Sequence, residues 1–162
     1  MIVLGIDPGT AITGYGLVAD RDSQPMMLAY GAITTPANQP LPDRLITIHR
    51  EVLRLIDQYK PDQAAVEQLF FNKNVRTALA VGHARGVVLL ALAEKNVPIA
   101  EYTPLEVKQA VTGNGRAEKK QVQEMIKILL QLDQIPKPDD AADALAIAVC
   151  HFHSARFTTL AG

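Results

Sequence analysis

A single cysteine, Cys150, excludes an internal disulfide, and its apolar surroundings assign it to core packing rather than redox chemistry. No apolar run approaches the roughly 20 residues that a membrane helix needs. The opening MIVLGIDPGT also lacks a basic segment and a small-residue cleavage site, so a cytoplasmic protein is expected. Internal repeats, low-complexity stretches and long linkers are absent too, which leaves the Pro/Gly clusters as punctuation within one fold. A basic excess is missing as well: the formal net charge is −1, whereas proteins that hold phosphate backbones are usually basic. With 162 residues, 48% of them hydrophobic, the chain is long enough for one sizeable core and too short for two ordinary domains. One domain over residues 1–157 is expected, followed by a short tail, 158–162.

Turn signals divide the chain into strand-like and helical stretches. The run from Ile2 to Asp7 is β-rich and stops at Pro8-Gly9; residues 13–19 and 26–34 resume that composition, which predicts three antiparallel strands. After Pro40, Leu41, Leu45, Ile48, Val52, Leu55, Ile56 and Tyr59 recur every three or four residues, the signature of a helix packed on a sheet. Beyond that crossover, Ala64-Ala65-Val66 predicts a buried strand parallel to the first and ending at Glu67. A second helix is expected over residues 75–95, with Ala78, Gly82 and Gly86 as a smooth ridge, and a fifth strand over 97–101. Thr103-Pro104-Leu105-Glu106 marks a helix start: Thr103 caps, Pro104 fits the first turn and Glu106 completes a capping box. A fourth helix over 118–131 buries Val122, Met125, Ile126, Leu129 and Leu130, and a fifth opens at Asp139 or Asp140. The order βββαβαβααα predicts an α/β fold in which a five-stranded mixed sheet is flanked by helices. Strand one then has a hairpin partner on one side and a crossover partner on the other, and crevices at such switches bind ligands.

Four acids converge in this arrangement. Asp7 and Glu67 end two strands expected to be parallel neighbours, so both carboxylates emerge at one edge of the sheet. Asp140 and Asp143 are three apart at a helix start and share a face. Buried together they repel, and a divalent cation relieves the repulsion; an all-oxygen ligand set suits Mg²⁺ or Mn²⁺. Singly, most of them also have a plain structural role: Asp7 starting a turn, Asp139 or Asp140 as an N-cap, Asp143 favouring a helix dipole. Glu67 has none, because the apolar residues before it show no polar alternation. Spacing does not choose between Asp139 and Asp140, since either shares a face with Asp143. The histidines form no comparable set: His151 and His153, two apart, point to different helical faces, and His49 and His83 have no partner in sequence. If bound cations offset the four carboxylates, the charge of −1 becomes +3 on the remainder, and distribution rather than sum carries the inference.

Three stretches of cations, glycines and aromatics are candidates for contact with nucleic acid, each with a plain structural alternative. Lys108, Arg116, Lys119, Lys120 and Lys127 face only Glu106, Glu118 and Glu124 between residues 103 and 130, a mild positive patch or a solvated mixed face. Thr112-Gly113-Asn114-Gly115 is either a set of N–H donors for a phosphate or a simple turn. Phe70-Phe71 leads into Lys73 and Arg76, where stacking on an unpaired base competes with core packing.

Gly5-Ile6-Asp7-Pro8-Gly9, Val66-Glu67-Gln68 and the segment from Asp140 to Ala146 closely resemble the RuvC family of bacterial Holliday-junction resolvases. His83-Ala84-Arg85-Gly86, Val107-Lys108-Gln109 and Ala117-Glu118-Lys119 extend the likeness over nearly the whole chain. The resemblance implies an RNase H-like fold and a homodimer making paired, symmetric nicks in four-way DNA junctions, with 5′-phosphate and 3′-hydroxyl ends. It implies Asp7, Glu67, Asp140 and Asp143 as catalytic metal ligands, choosing Asp140 over Asp139, with two Mg²⁺ per subunit and Mn²⁺ as a substitute. It singles out Lys108 and Lys119 near the scissile phosphate, with Lys119 catalytic, and Phe70 near the junction centre. Lys73, Arg76, Arg116 and Lys120 complete the expected DNA contacts, and a RuvA and RuvB branch-migration complex is the implied partner. A rival reading takes Gly5 to Thr10 as the phosphate-binding hairpin of actin-like and Hsp70-like ATPases; those close two such domains on a nucleotide, and this chain supplies one.

Overall fold

The computed structural model describes residues 1–68 and 75–161, with side chains through Thr158. The strands β1 (Ile2–Asp7), β2 (Ile12–Arg21) and β3 (Gln24–Thr34) form an antiparallel meander. Helix α1 (Leu41–Tyr59) crosses to β4 (Gln63–Glu67), and α2 (Val75–Glu94) leads to β5 (Ile99–Tyr102), both strands joining in parallel. The sheet order is β3-β2-β1-β4-β5, so β1 is the strand at which direction switches, as the sequence predicts. Three helices follow: α3 (Pro104–Thr112), α4 (Lys119–Leu129) and α5 (Asp139–Ala161). The last runs on through residues 158–161, set apart from sequence as a tail.

Two cores lie on the two faces of the sheet. Leu4, Ile6, Leu17, Ala64 and Val66 point towards α1 and α2 and are buried there with Ile48, Val52, Val88 and Leu92. Val3, Val18 and Ala65 point the other way, towards α3, α4 and α5. Helix α5 is buried almost all round from Ala141 to Phe152, as expected for a helix enclosed by a sheet on one side and helices on the other. Cys150 lies inside it, its thiol pushed up to about 12, chiefly by burial and then by Glu106, so it packs and does not react.

The Thr103 capping box forms as predicted: the Thr103 hydroxyl accepts from the Glu106 N–H at 3.1 Å, and the Glu106 carboxylate accepts from the Thr103 N–H at 2.8 Å. Helix α2 forms over the expected residues but is more apolar than the sequence reading allowed. Among the described residues it is the one helix long and apolar enough to cross a membrane, with 28% of that stretch buried. Its ridge rolls across the surface: Ala78 faces inward, Gly86 opens outward with nothing near it, and Val75, Leu79 and Leu90 are exposed beside it.

Candidate active site

Period-two alternation along β1 places Val3, Gly5 and Asp7 on the face that α5 covers, and the same alternation in β4 places Ala65 and Glu67 there. The parallel register pairs Ile6 with Val66, so Asp7 and Glu67 stand on the next rung, side by side at the carboxyl ends of their strands. The helix approaches because the sheet beneath it is bare: a Cβ on Gly14 would collide with the Asp140 carbonyl, and one on Gly5 with the Ala144 carbonyl. With its first turns resting on backbone, α5 delivers Asp140 and Asp143 to the edge that holds Asp7 and Glu67.

Electrostatic strain follows from that convergence. The Asp7 carboxyl is pushed up to about 9, first by burial, then by the charge of Glu67 and a side-chain hydrogen bond with it, then by Asp143 and Asp140. Asp143 rises to about 6; burial leads, Lys119 pulls the other way, and Glu67, Asp140 and Asp139 add to the rise. Neighbouring carboxyls shifted in this way mark more negative charge than the fold itself neutralises. As the side chains stand, no three His, Cys, Asp or Glu among the described residues make a set that could hold a metal ion. Instead the Asp7 carboxyl, kept protonated well above its ordinary range, is hydrogen-bonded to Glu67.

Lys119, at the start of α4, lies 3.4 Å from Asp139 and 3.8 Å from Asp143. Burial works to lower its ammonium, but Asp143, Asp139 and Asp140 outweigh it and hold the group above its ordinary value. Asp139 is exposed, engaged by Lys119 and by Gln123 at 3.3 Å, with its carboxyl held low by Lys119. The two adjacent aspartates, indistinguishable by spacing, differ in their surroundings: both act on Asp143, but Asp139 is paired with Lys119, whereas Asp140 also acts on Asp7.

A cavity of about 220 Å³ adjoins Glu67 and Asp143; Lys108 and Lys119 line it with apolar walls that include Val107 and Ile147. Lys120 is exposed beside Lys119, and Arg116 is exposed in the α3–α4 connection. Arg76 lies in the first turn of α2, in a second groove that reaches Asp140. Phe70, Phe71 and Lys73 lie outside the described residues. The Thr112-Gly113-Asn114-Gly115 loop does not keep its donors for a phosphate. The N–H groups of Gly113 and Gly115 go to Gln109, that of Asn114 to the Thr112 hydroxyl, and that of Arg116 to the Asn114 side chain. Gly113, at φ +77°, caps α3, and the segment is a turn.

Sequence reasoning passed over the glycines beneath α5. Gly14 and Gly16 alternate inside a strand, and glycine in a strand interior signals close approach of another backbone.

Comparison with known proteins brings family, sequence and structure into agreement. The family model for crossover junction endodeoxyribonuclease RuvC matches residues 3–151. The crossover junction endodeoxyribonuclease RuvC of Alkaliphilus oremlandii is 58% identical over 160 residues, covering 99% of this chain and 98% of that protein. That of Ruminiclostridium cellulolyticum is 55% identical over 162 residues, covering 100% and 98%. Among solved structures, Thermus thermophilus RuvC in complex with a Holliday junction substrate superposes with a TM-score of 0.93 at 39% identity, covering 98% of this chain and 97% of that one.

Proposed function

The chain belongs to the RuvC family of crossover junction endodeoxyribonucleases, metal-dependent enzymes that hydrolyse DNA phosphodiester bonds, and on that premise we propose how its residues resolve a four-way junction. The fold is RNase H-like, and the ATPase reading of the Gly5–Thr10 hairpin is set aside.

In this reading Asp7, Glu67, Asp140 and Asp143 hold divalent cations, and the observation that carries it is their convergence: Asp7 and Glu67 end neighbouring parallel strands, α5 rests on Gly5 and Gly14 above them, and the half-buried Asp7 and Asp143 carboxyls are pushed up to about 9 and about 6. All the donors are oxygens, which fits Mg²⁺, with Mn²⁺ as a substitute and two ions per subunit. Loss of the Asp7 proton would free that carboxylate as a ligand, so cation binding and deprotonation are linked. When bound, the ions supply charge that activates a water and stabilises the leaving 3′ oxygen, so a 5′-phosphate and a 3′-hydroxyl result. Lys119, tethered to Asp139 and Asp143, sets an ammonium beside the scissile phosphate and offsets charge that develops on its oxygens. Lys108 orients the same phosphate from the adjoining cavity. Phe70, Lys73, Arg76, Arg116 and Lys120 are proposed to hold the junction outside the cut.

Cutting two opposed strands symmetrically needs two such sites related by a two-fold axis. The outward apolar stripe of α2, with Val75, Leu79 and Leu90 exposed beside the open Gly86, fits a second copy of this chain. It also accounts for the membrane-like hydropathy of that helix. The homodimer would work in the cytoplasm, with RuvA and RuvB as the branch-migration partner that the family implies.

A synthetic four-way junction with each of its four strands labelled tests this directly. Paired nicks at symmetric positions are expected with Mg²⁺, and none with EDTA. Asp7→Asn should bind the junction and leave it whole; sustained cutting by that variant would end the metal-site reading.

A further inference from the structure

A groove of about 690 Å³ runs between the β1–β2 turn and the first half of α2 and reaches Asp140. Arg44, Arg76 and His83 line it, and among the described residues Asp140 is its only acid. Lys108 and Lys119 line the cavity beside Glu67 and Asp143, so these lysines and the arginines Arg44 and Arg76 flank the carboxylates.

Arg44 is held in the groove by a relay of side chains. Its Nε donates to the Thr35 hydroxyl at 2.8 Å, Thr35 donates to the Thr10 carbonyl at 2.6 Å, and the Thr10 hydroxyl donates to the Ala80 carbonyl at 2.6 Å. Thr10 and Thr35 are both buried. The relay ties α1, the end of β3, the β1–β2 turn and α2 into one frame, and it consumes only the inner edge of the guanidinium. The two terminal nitrogens of Arg44 have no hydrogen-bond partner among the described residues. A planar guanidinium fixed at Nε, with its outer edge free, is preorganised to grip a phosphate through two parallel N–H bonds. Leu41 and Ile12 add apolar wall beside it, against which the carbon faces of the sugars can pack.

We propose that Arg44 binds a backbone phosphate of the cut strand, on the side of the carboxylates opposite Lys108 and Lys119. The strand is then gripped on both sides of the scissile bond, and the Thr10–Thr35 relay aligns that grip with the turn that follows Asp7. This assignment rests on the junction-cutting reading above.

The test uses the full chain in an Asp7→Asn background, expected to bind without cutting, and measures affinity for a four-way junction across a salt series. Arg44→Gln is expected to bind about tenfold more weakly at moderate salt, with the log–log salt slope smaller by about one, the signature of one lost phosphate contact. Arg44→Lys should keep the slope and lose part of the affinity, because an ammonium cannot keep the Thr35 bond while forking a phosphate. Thr35→Val should do the same through loss of the anchor. Arg21→Gln, at the far end of β2, should change neither quantity. With Asp7 restored, Arg44→Gln should raise KM more than it lowers kcat. An Arg44→Gln protein with unchanged affinity and slope overturns the assignment. If that variant does not fold, unchanged affinity in both Arg44→Lys and Thr35→Val overturns it equally. Wild-type protein that fails to bind the junction overturns the junction reading and this assignment with it, whereas a binding wild type with an inert Arg44 overturns this assignment alone.

Discussion

Helix α5 carries two polar clusters about 12 Å apart along its axis, by the rise of eight residues, and they are resolved in opposite ways. At its start, Asp140 and Asp143 meet Asp7 and Glu67, a set of acceptors with too few donors, in which two carboxyls cling to protons. Further along, buried His151 accepts from the Tyr102 hydroxyl at Nδ1, 2.7 Å away, and donates from Nε2 to the Gln63 carbonyl oxygen at 2.5 Å. Each of those groups finds its complement within the chain, and burial alone holds the imidazole below its ordinary range, as a neutral ring. Polarity under burial is therefore not the mark of function here. The mark is incompleteness: the first cluster needs something from outside and the second does not.

The sharpest way to break that comparison is to cure the incomplete cluster by mutation. Asp7→Asn removes one charge and leaves the shape, so junction cutting should fall on the order of a thousandfold or more, while binding persists. The second effect is on stability. A carboxyl whose folded pKa lies above its unfolded value keeps its proton in the folded state when the unfolded chain has lost it, so stability is full at low pH and drains as pH rises. For Asp7 the window runs from about 4 to about 9, and for Asp143 it closes near 6. Metal-free protein should lose up to a few kcal/mol between pH 5 and pH 8 by thermal or urea unfolding. Mg²⁺ should reverse the loss, increasingly at the alkaline end, because it binds the deprotonated carboxylates. In EDTA at pH 8, Asp7→Asn should melt above wild type; a lower melting point would mean that the Asp7 charge is already compensated by the fold.

A third, smaller effect tests how the carboxylates are delivered. Gly14→Ala puts a methyl group into the Asp140 carbonyl, and α5 must lift or slide. Displacement near 1 Å costs about a hundredfold in a positioned reaction, so cutting should drop by about that factor at saturating junction. If cutting is unchanged, the glycine contact does not position the aspartates. This feature also shows where the sequence was legible and where it was not. Strand order, the β1 switch, the Thr103 capping box and the positions of Asp7, Glu67 and the α5 aspartates follow from period, turn residues and caps, all local signals. The helix-to-sheet contact at Gly14 joins residues far apart in sequence, and so does the Arg44–Thr35–Thr10 relay. No spacing announces either of them. The loop at Thr112, left open by its composition between a phosphate nest and a turn, is the turn, because Gln109 and its own side chains take the donors.

The smallest expected effect falls on the complete cluster, and its sign is the reverse of the first. His151→Phe fills the same space but strands the Tyr102 hydroxyl and the Gln63 amide oxygen. Both residues are only half-buried, and water reaches them in part, so the cost is about 1–2 kcal/mol and cutting is untouched. A histidine held below its unfolded value contributes stability that is full above about 6.5 and is lost as pH falls through that value, because the unfolded chain takes up the proton first. His153, held low by burial and then by Arg156, adds to the same acid limb. The metal-free protein should thus have an acid limb that His151→Phe shallows and an alkaline limb that Asp7→Asn flattens, each variant leaving the other limb alone. Independent limbs would mean that α5 joins the two clusters without coupling their protons. A single variant that altered both would mean that they titrate as one site, and the division between structural and functional polarity would fail.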